Sequence, residues 1–112
     1  MSAAPEPWLH VVGIGDAGLA SLSPAARAAI EAGEVLVGGE RHLAMVSDHT
    51  GERLLWRRPL EATLPDLEAL RGRRVVVLAS GDPLCFGVGE LLVRHFDRSE
   101  LRVLPAPSTF SL

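Results

Sequence analysis

The sequence contains no lysine and no tyrosine, and Cys85 is its one cysteine. A lone cysteine excludes an internal disulfide and any zinc site built from several cysteines. All 11 basic residues are arginines, the acidic residues number 14, and the formal net charge is −3. Because no basic stripe is available for a phosphate backbone, we expect no nucleic-acid partner.

Long apolar runs are also missing. No run approaches the roughly 18 residues that a membrane span needs, and the residues before Trp8 lack the basic and apolar regions of a secretory signal. We therefore expect a cytoplasmic protein with no membrane partner. The spacing of His10, His49 and His95 does not suit metal ligation, so no metal site is predicted. With 47% hydrophobic and 22% charged residues, the chain has the composition of one folded domain.

Short apolar runs alternate with stretches of helix-forming residues. Strands are predicted at 9–13, 34–37, 53–56, 74–79 and 101–104. Helices are predicted at 25–32, 63–70 and 87–96, while 40–46 fits either a short helix or a turn. The alternation predicts an α/β domain with an open, mostly parallel sheet and flanking helices. Because its apolar run is continuous, the strand at 74–79 is expected in the centre of the sheet.

The end of the sequence has a different character. Pro105-Ala106-Pro107 is typical of a rigid connector, and Ser108-Thr109 is typical of a helix start. We divide the chain into a tail at 1–8, an α/β lobe at 9–104 and a connector at 105–112. We expect the whole to be the first lobe of a longer protein.

Ligands of open α/β sheets bind beyond the carboxyl ends of strands, which directs attention to the loop after the first strand. Residues 13–18 fit the G-x-G-x-x-G pattern of dinucleotide-binding domains. However, the Ser23-Pro24 helix start leaves 19–22 as extra loop, so the phosphate would lack a helix N-terminus. An NAD(P)-binding domain is therefore an alternative, and a non-catalytic α/β interaction domain is another.

The loop at 79–87 is richer in turn-forming residues. Two glycines, a proline and Asp82 give it a fixed shape and exposed backbone groups. Asp82 has two interpretations: it contacts a ligand, or it only caps the helix that follows.

Five segments together resemble a known family. They are 11–15, 22–27, 37–43, 78–84 and 105–109. Their order and spacing are similar to those of the class III S-adenosylmethionine-dependent methyltransferases that act on tetrapyrroles, especially the precorrin-6Y methylases of cobalamin biosynthesis. The resemblance implies two α/β lobes with the cofactor between them, usually in a homodimer, and this chain matches the first lobe and the connector.

The resemblance also implies a set of cofactor contacts. S-adenosylmethionine, or its product S-adenosylhomocysteine, is expected to contact Gly15, Asp16, Gly81, Asp82, Cys85, Ser108 and Thr109. Relatives often have Gly-x-Gly-Pro-Gly in the first loop, where this chain has Asp16-Ala17-Gly18. Methyl transfer to a ring carbon can be accelerated largely by positioning, so no catalytic residue is assigned.

The implied substrate is a precorrin methylated at carbon 5. Its ring carries carboxylates, for which arginine is the expected partner, and Arg41 is our candidate. His42 is a second candidate contact, as an acid or base, although an isolated histidine after a glycine pair is more often a packing or surface residue.

Overall fold

The computed structural model describes residues 7–14, 22–46, 51–57, 60–80 and 87–104. Within these ranges the strands are β1 (Leu9–Ile14), β2 (Val35–Gly38), β3 (Glu52–Leu55), β4 (Val75–Ser80) and β5 (Leu101–Leu104). The α-helices are α1 (Pro24–Ala32), α2 (Glu40–Met45), α3 (Leu64–Ala69) and α4 (Gly87–His95). Short 3-10 turns precede α3 at Leu60–Thr63 and β5 at Arg98–Glu100.

The strands form one sheet in the order β3-β2-β4-β1-β5. Every pairing between them is parallel. The predicted α/β class with a mostly parallel sheet is thus confirmed. β4 is the central strand, as its continuous apolar run predicts, and Val75–Ala79 is at most 4% exposed.

Helices cover both faces of the sheet, and successive side chains of each strand point to opposite faces. The cluster beneath α1 and α2 includes Val12, Ile14, Ala26, Ile30, Leu36, Leu43, Val46, Val76 and Leu78. The cluster beneath α3 and α4 includes Leu9, Val11, Val35, Val37, Leu64, Leu67, Val75, Val77, Leu92 and Phe96. We call these surfaces of the sheet the α1 face and the α4 face.

Helix α1 begins as its sequence predicts. The Oγ of Ser23 accepts a hydrogen bond from the Ala26 N–H at 3.2 Å, and Pro24 occupies the first helical turn. The helix ends at Gly33, where it lies close to the central strand. A Cβ on Gly33 would lie 2.7 Å from Cγ2 of Val76. Glycine here allows the end of α1 to approach β4.

The structure resolves one open sequence prediction and shifts the boundary of another. The segment at 40–46, which fits a helix or a turn, forms α2. The third helix begins at Leu64 rather than Thr63, which lies in the preceding 3-10 turn. Thr63 is fully buried, and its hydroxyl accepts a hydrogen bond from the Arg57 N–H at 2.8 Å. The hydroxyl therefore ties the chain after β3 to this turn instead of capping α3.

Candidate functional site

The carboxyl ends of all five strands lie at one edge of the sheet because every pairing is parallel. At this edge Ile14, the last residue of β1, is the register partner of Ser80, the last residue of β4. The two glycine-rich segments singled out in the sequence therefore leave the sheet from adjacent positions. The predicted cofactor contacts themselves lie outside the described residues: Gly15, Asp16, Gly81, Asp82, Cys85, Ser108 and Thr109.

The helices that follow β1 and β4 in the sequence pack on opposite faces of the sheet. After β1 comes α1, whose Ala26 and Ile30 pack on the α1 face. After β4 comes α4, and Leu92 of this helix and Phe96, which directly follows it, pack on the α4 face. Adjacent parallel strands whose connections pass to opposite faces create a crevice at their carboxyl ends, which is the usual ligand site of open α/β sheets.

Each of the three central strands has a small residue at its carboxyl end or one position before it. Gly13 and Gly38 lie near the ends of β1 and β2, and Ala79-Ser80 ends β4. Short side chains at strand ends let a ligand approach the backbone closely. This edge therefore allows a ligand to approach the backbone at the strand ends. Among the described residues, no group of three or more His, Cys, Asp or Glu side chains is arranged to hold a metal ion.

Helix α2 places both predicted substrate residues at this edge, because it begins at Glu40 directly after β2. A Cβ on Gly38 would lie 3.5 Å from the Cβ of His42 and 3.4 Å from the Cβ of Leu78. His42 thus lies over the end of β2, beside β4. Without a side chain at Gly38, α2 can pack this close to the sheet.

Arg41 and His42 differ in exposure and charge. Arg41 is exposed, whereas His42 is half-buried. Burial, and then the positive charge of Arg41, lower the pKa of His42 below its usual range. At neutral pH the uncharged imidazole therefore predominates, and in this form one ring nitrogen is a hydrogen-bond donor and the other an acceptor. The pair combines an anion-binding group with a neutral donor and acceptor.

Arg53 positions α2 and is not singled out by the sequence pattern, which assigns it only to a strand. Its Nη1 donates to the Leu43 carbonyl and its Nη2 to the Val46 carbonyl, each at 2.7 Å. These carbonyls lie at the C-terminus of α2, where backbone acceptors lack helical partners. No local sequence pattern marks this role, because the pairing that places Arg53 beside Leu36 is set by the sheet.

A model of the family described as Tetrapyrrole (Corrin/Porphyrin) Methylases matches residues 8–112. The chain belongs to this family. The match covers the whole sheet, including both strand ends that border the crevice. The family resemblance inferred from the five sequence segments is confirmed.

Curated relatives place the chain within this family. It is 48% identical over 108 residues to a Sinorhizobium protein named precorrin-6Y C(5,15)-methyltransferase [decarboxylating], covering 96% of this chain and 26% of that protein. It is 44% identical over 100 residues to a Salmonella typhimurium protein named cobalt-precorrin-7 C(5)-methyltransferase, covering 89% of this chain and 50% of that protein. The chain thus spans between a quarter and a half of the length of these relatives.

Solved structures of the family share the fold. A uroporphyrin-III-C-methyltransferase from Thermus thermophilus superposes with a TM-score of 0.76 at 30% identity, covering 89% of this chain and 47% of that one. No helix in the described part of the chain is long and apolar enough to cross a membrane.

Proposed function

We propose that this chain is the amino-terminal lobe of an enzyme that transfers a methyl group from S-adenosylmethionine to carbon 5 of a precorrin in cobalamin biosynthesis. The supporting observation is what the two curated relatives have in common. One is named for carbons 5 and 15 and the other for carbon 5 alone. Since this chain aligns with both relatives, we assign the aligned segment to the enzyme that methylates carbon 5.

The cofactor site of the proposal is the crevice between β1 and β4. S-adenosylmethionine would supply the methyl group as a sulfonium cation. The backbone after each strand end would meet its polar groups, and Asp82 would favour its positive charge. The proposed contacts are Gly15, Asp16, Gly81, Asp82, Cys85, Ser108 and Thr109. The side-by-side ends of β1 and β4 support this assignment.

The proposed substrate site uses Arg41 and His42. The exposed guanidinium of Arg41 would pair with a carboxylate of the tetrapyrrole ring. The neutral imidazole of His42 would donate a hydrogen bond to the substrate or accept one from it. Both lie on α2 beside the crevice, which supports a role in orienting the ring rather than in chemical activation.

The complete enzyme of the proposal has a second α/β lobe after the connector at 105–112, acts as a homodimer and works in the cytoplasm. The cofactor would lie between the lobes, so the 112-residue chain alone would be inactive. The coverage of the relatives supports a longer whole, because the chain aligns with only part of each.

Calorimetric titration of S-adenosylhomocysteine tests the proposal in the protein extended through its natural downstream sequence. We expect the extended protein to bind, the 112-residue chain to bind weakly or not at all, and NAD to bind neither. Binding of NAD without S-adenosylhomocysteine would instead favour a dinucleotide-binding domain. Binding of neither by the extended protein would favour a non-catalytic interaction domain.

A substitution at Asp82 tests the site within the extended protein. Asp82→Ala should weaken S-adenosylhomocysteine binding at least tenfold, about 1.4 kcal/mol, with little loss of folding stability. Glu61→Ala, at an exposed carboxylate of the 3-10 turn before α3, is the matched control and should leave binding unchanged. Equal losses of affinity and stability in Asp82→Ala would show that Asp82 only caps a helix.

A further inference from the structure

A cavity of about 530 Å³ lies beside α1, away from the carboxyl edge of the sheet. Its charged and titratable lining comes from three neighbouring strand positions. His10 is the second residue of β1, Arg102 is its register partner in β5, and Arg74 directly precedes β4. The remaining lining consists of Pro7 and the small side chains of Ala25, Ala28, Ala29 and Ala32. The alanines of α1 leave room between the helix and the two arginines.

The two guanidinium groups carry a local excess of positive charge. Among the described residues, no carboxylate lines the cavity or pairs with the side chain of Arg74 or Arg102. The nearby carboxylate of Glu34 accepts a hydrogen bond from the backbone N–H of Arg74 at 3.1 Å and lies 3.6 Å from Nε of Arg73. Glu34 therefore offsets the charge of Arg73, and the cavity itself keeps two positive charges.

The imidazole of His10 is the second unusual feature of this cavity. His10 is 7% exposed, and neither Nδ1 nor Nε2 has a hydrogen-bond partner within the described residues. Buried polar atoms nearly always have such a partner, because leaving one without costs roughly 1–3 kcal/mol. The ring N–H of His10 has no acceptor, and the two neighbouring guanidinium groups have no paired anion among the described residues. A negatively charged oxygen in the cavity would compensate for both.

We propose that this cavity binds a small oxyanion, a phosphate or a carboxylate, between Arg74 and Arg102, with His10 stabilised by its charge. The planar guanidinium fork matches either group through paired N–H···O hydrogen bonds. The site is separate from the proposed methyl-transfer crevice, which lies at the opposite end of the strands. It also does not depend on the reaction that the complete protein catalyses.

Binding of an anion there has a measurable electrostatic consequence. Burial, and then the positive charges of Arg74 and Arg102, lower the pKa of His10. The carbonyl of Pro7 has the smallest effect on this pKa and raises it. Its geometry does not meet the criteria of a hydrogen bond to either ring nitrogen. A bound oxyanion would offset the two guanidinium charges, so it should raise the pKa of His10.

The test is a titration of the full-length protein with inorganic phosphate and, separately, with succinate, at constant ionic strength. The imidazole C–H resonances of His10 are followed by NMR. We expect a saturable shift of these resonances and a higher pKa of His10 at saturation. A response to phosphate alone identifies a phosphate site, and a response to succinate alone identifies a carboxylate site. No saturable response to either anion overturns the proposal.

Variants of the two arginines make the test specific. Arg74→Gln and Arg102→Gln should each weaken the apparent affinity at least tenfold, and both side chains are exposed, so the protein should still fold. Arg98→Gln, at another exposed arginine, is the matched control and should bind as the parent does. Arg41→Gln should also bind normally, which separates this site from the proposed substrate contact. An undiminished response in Arg74→Gln and Arg102→Gln would refute the site.

Discussion

The indole Nε1 of Trp8 donates a hydrogen bond of 2.9 Å to Oε1 of Glu100, across 92 positions of sequence. The same carboxylate oxygen lies 2.6 Å from Nε of Arg71. Trp8 also packs edge-on against Phe96, with ring centroids 5.5 Å apart. These contacts join the start of β1 to the segments before β4 and β5, so the beginning and end of the described lobe stabilise each other.

Glu100 should make folding stability depend on pH in the acid range. The hydrogen bond from Trp8, followed by contacts with Arg71 and the Asp97 N–H, holds the pKa of Glu100 below its usual range. The folded state therefore binds a proton less readily than the unfolded state. The stabilisation is complete above the ordinary carboxyl pKa of about 4.3 and is lost as the pH falls through the lowered value. Urea unfolding at pH 7, 5 and 3.5 should show a smaller acid loss in Glu100→Gln than in the parent, and an equal loss would contradict this coupling.

Removing the indole N–H of Trp8 should weaken the contacts around Glu100 while an aromatic ring still fills the position of the indole. Trp8→Phe keeps an aromatic ring next to Phe96 but cannot donate to Glu100. We expect a loss of about 1 kcal/mol in the free energy of unfolding at pH 7, the usual contribution of one hydrogen bond. Combining Trp8→Phe with Glu100→Gln should cost less than the sum of the two single changes. Additive losses would mean that the two side chains act independently.

Gly33→Ala should destabilise the protein through a clash with the central strand. Its Cβ would lie 2.7 Å from Cγ2 of Val76 and 3.3 Å from the Ile30 carbonyl oxygen. Overpacking of this kind costs about 1–3 kcal/mol, which thermal or urea unfolding can measure. In a Val76→Ala background the obstructing methyl group is absent, so the added cost of Gly33→Ala should shrink. An unchanged cost in that background would exclude the clash as its cause.

Arg53→Gln should loosen α2 from the rest of the lobe. The substitution removes the guanidinium fork that bridges the Leu43 and Val46 carbonyls, and charged hydrogen bonds contribute up to about 1.5–3 kcal/mol each when shielded from water. Because Arg53 is exposed and water can replace part of these bonds, we expect a total loss of about 1–2 kcal/mol, less than two shielded bonds would give. Amide hydrogen exchange should accelerate in α2 and remain unchanged in α1. Uniform acceleration in both helices would indicate a general loss of stability instead.

Arg41→Gln should raise the pKa of His42. Arg41 is the second cause of the lowered pKa, after burial, so the value should move towards 6.5 without reaching it. Because the folded-state pKa is lowered, the unfolded state binds the proton more readily, and stability falls as the pH drops from 6.5 through the folded-state value. NMR titration of His42 measures the change, and Arg27→Gln on α1 is the control. A pKa of His42 that does not respond would place Arg41 too far away to act on it.

Local sequence determined most of the strands and helices of this protein, although it left 40–46 open between a helix and a turn. Ser23 and Pro24 fix the start of α1 through groups within one helical turn, and the apolar run of β4 requires burial on both faces wherever the strand lies. The candidate loops could also be located, because each directly follows a recognisable strand. The cofactor contacts proposed within those loops lie outside the described residues and stay predictions.

Tertiary structure decided which elements meet. The order β3-β2-β4-β1-β5 places Ile14 next to Ser80, and nothing near either residue in sequence specifies that neighbour. The contacts of Arg53 with α2 and of Trp8 with Glu100 are likewise invisible to a local pattern. Propensity and capping depend on the nearest residues along the chain, whereas strand order and side-chain partners depend on how all the apolar surfaces are buried together.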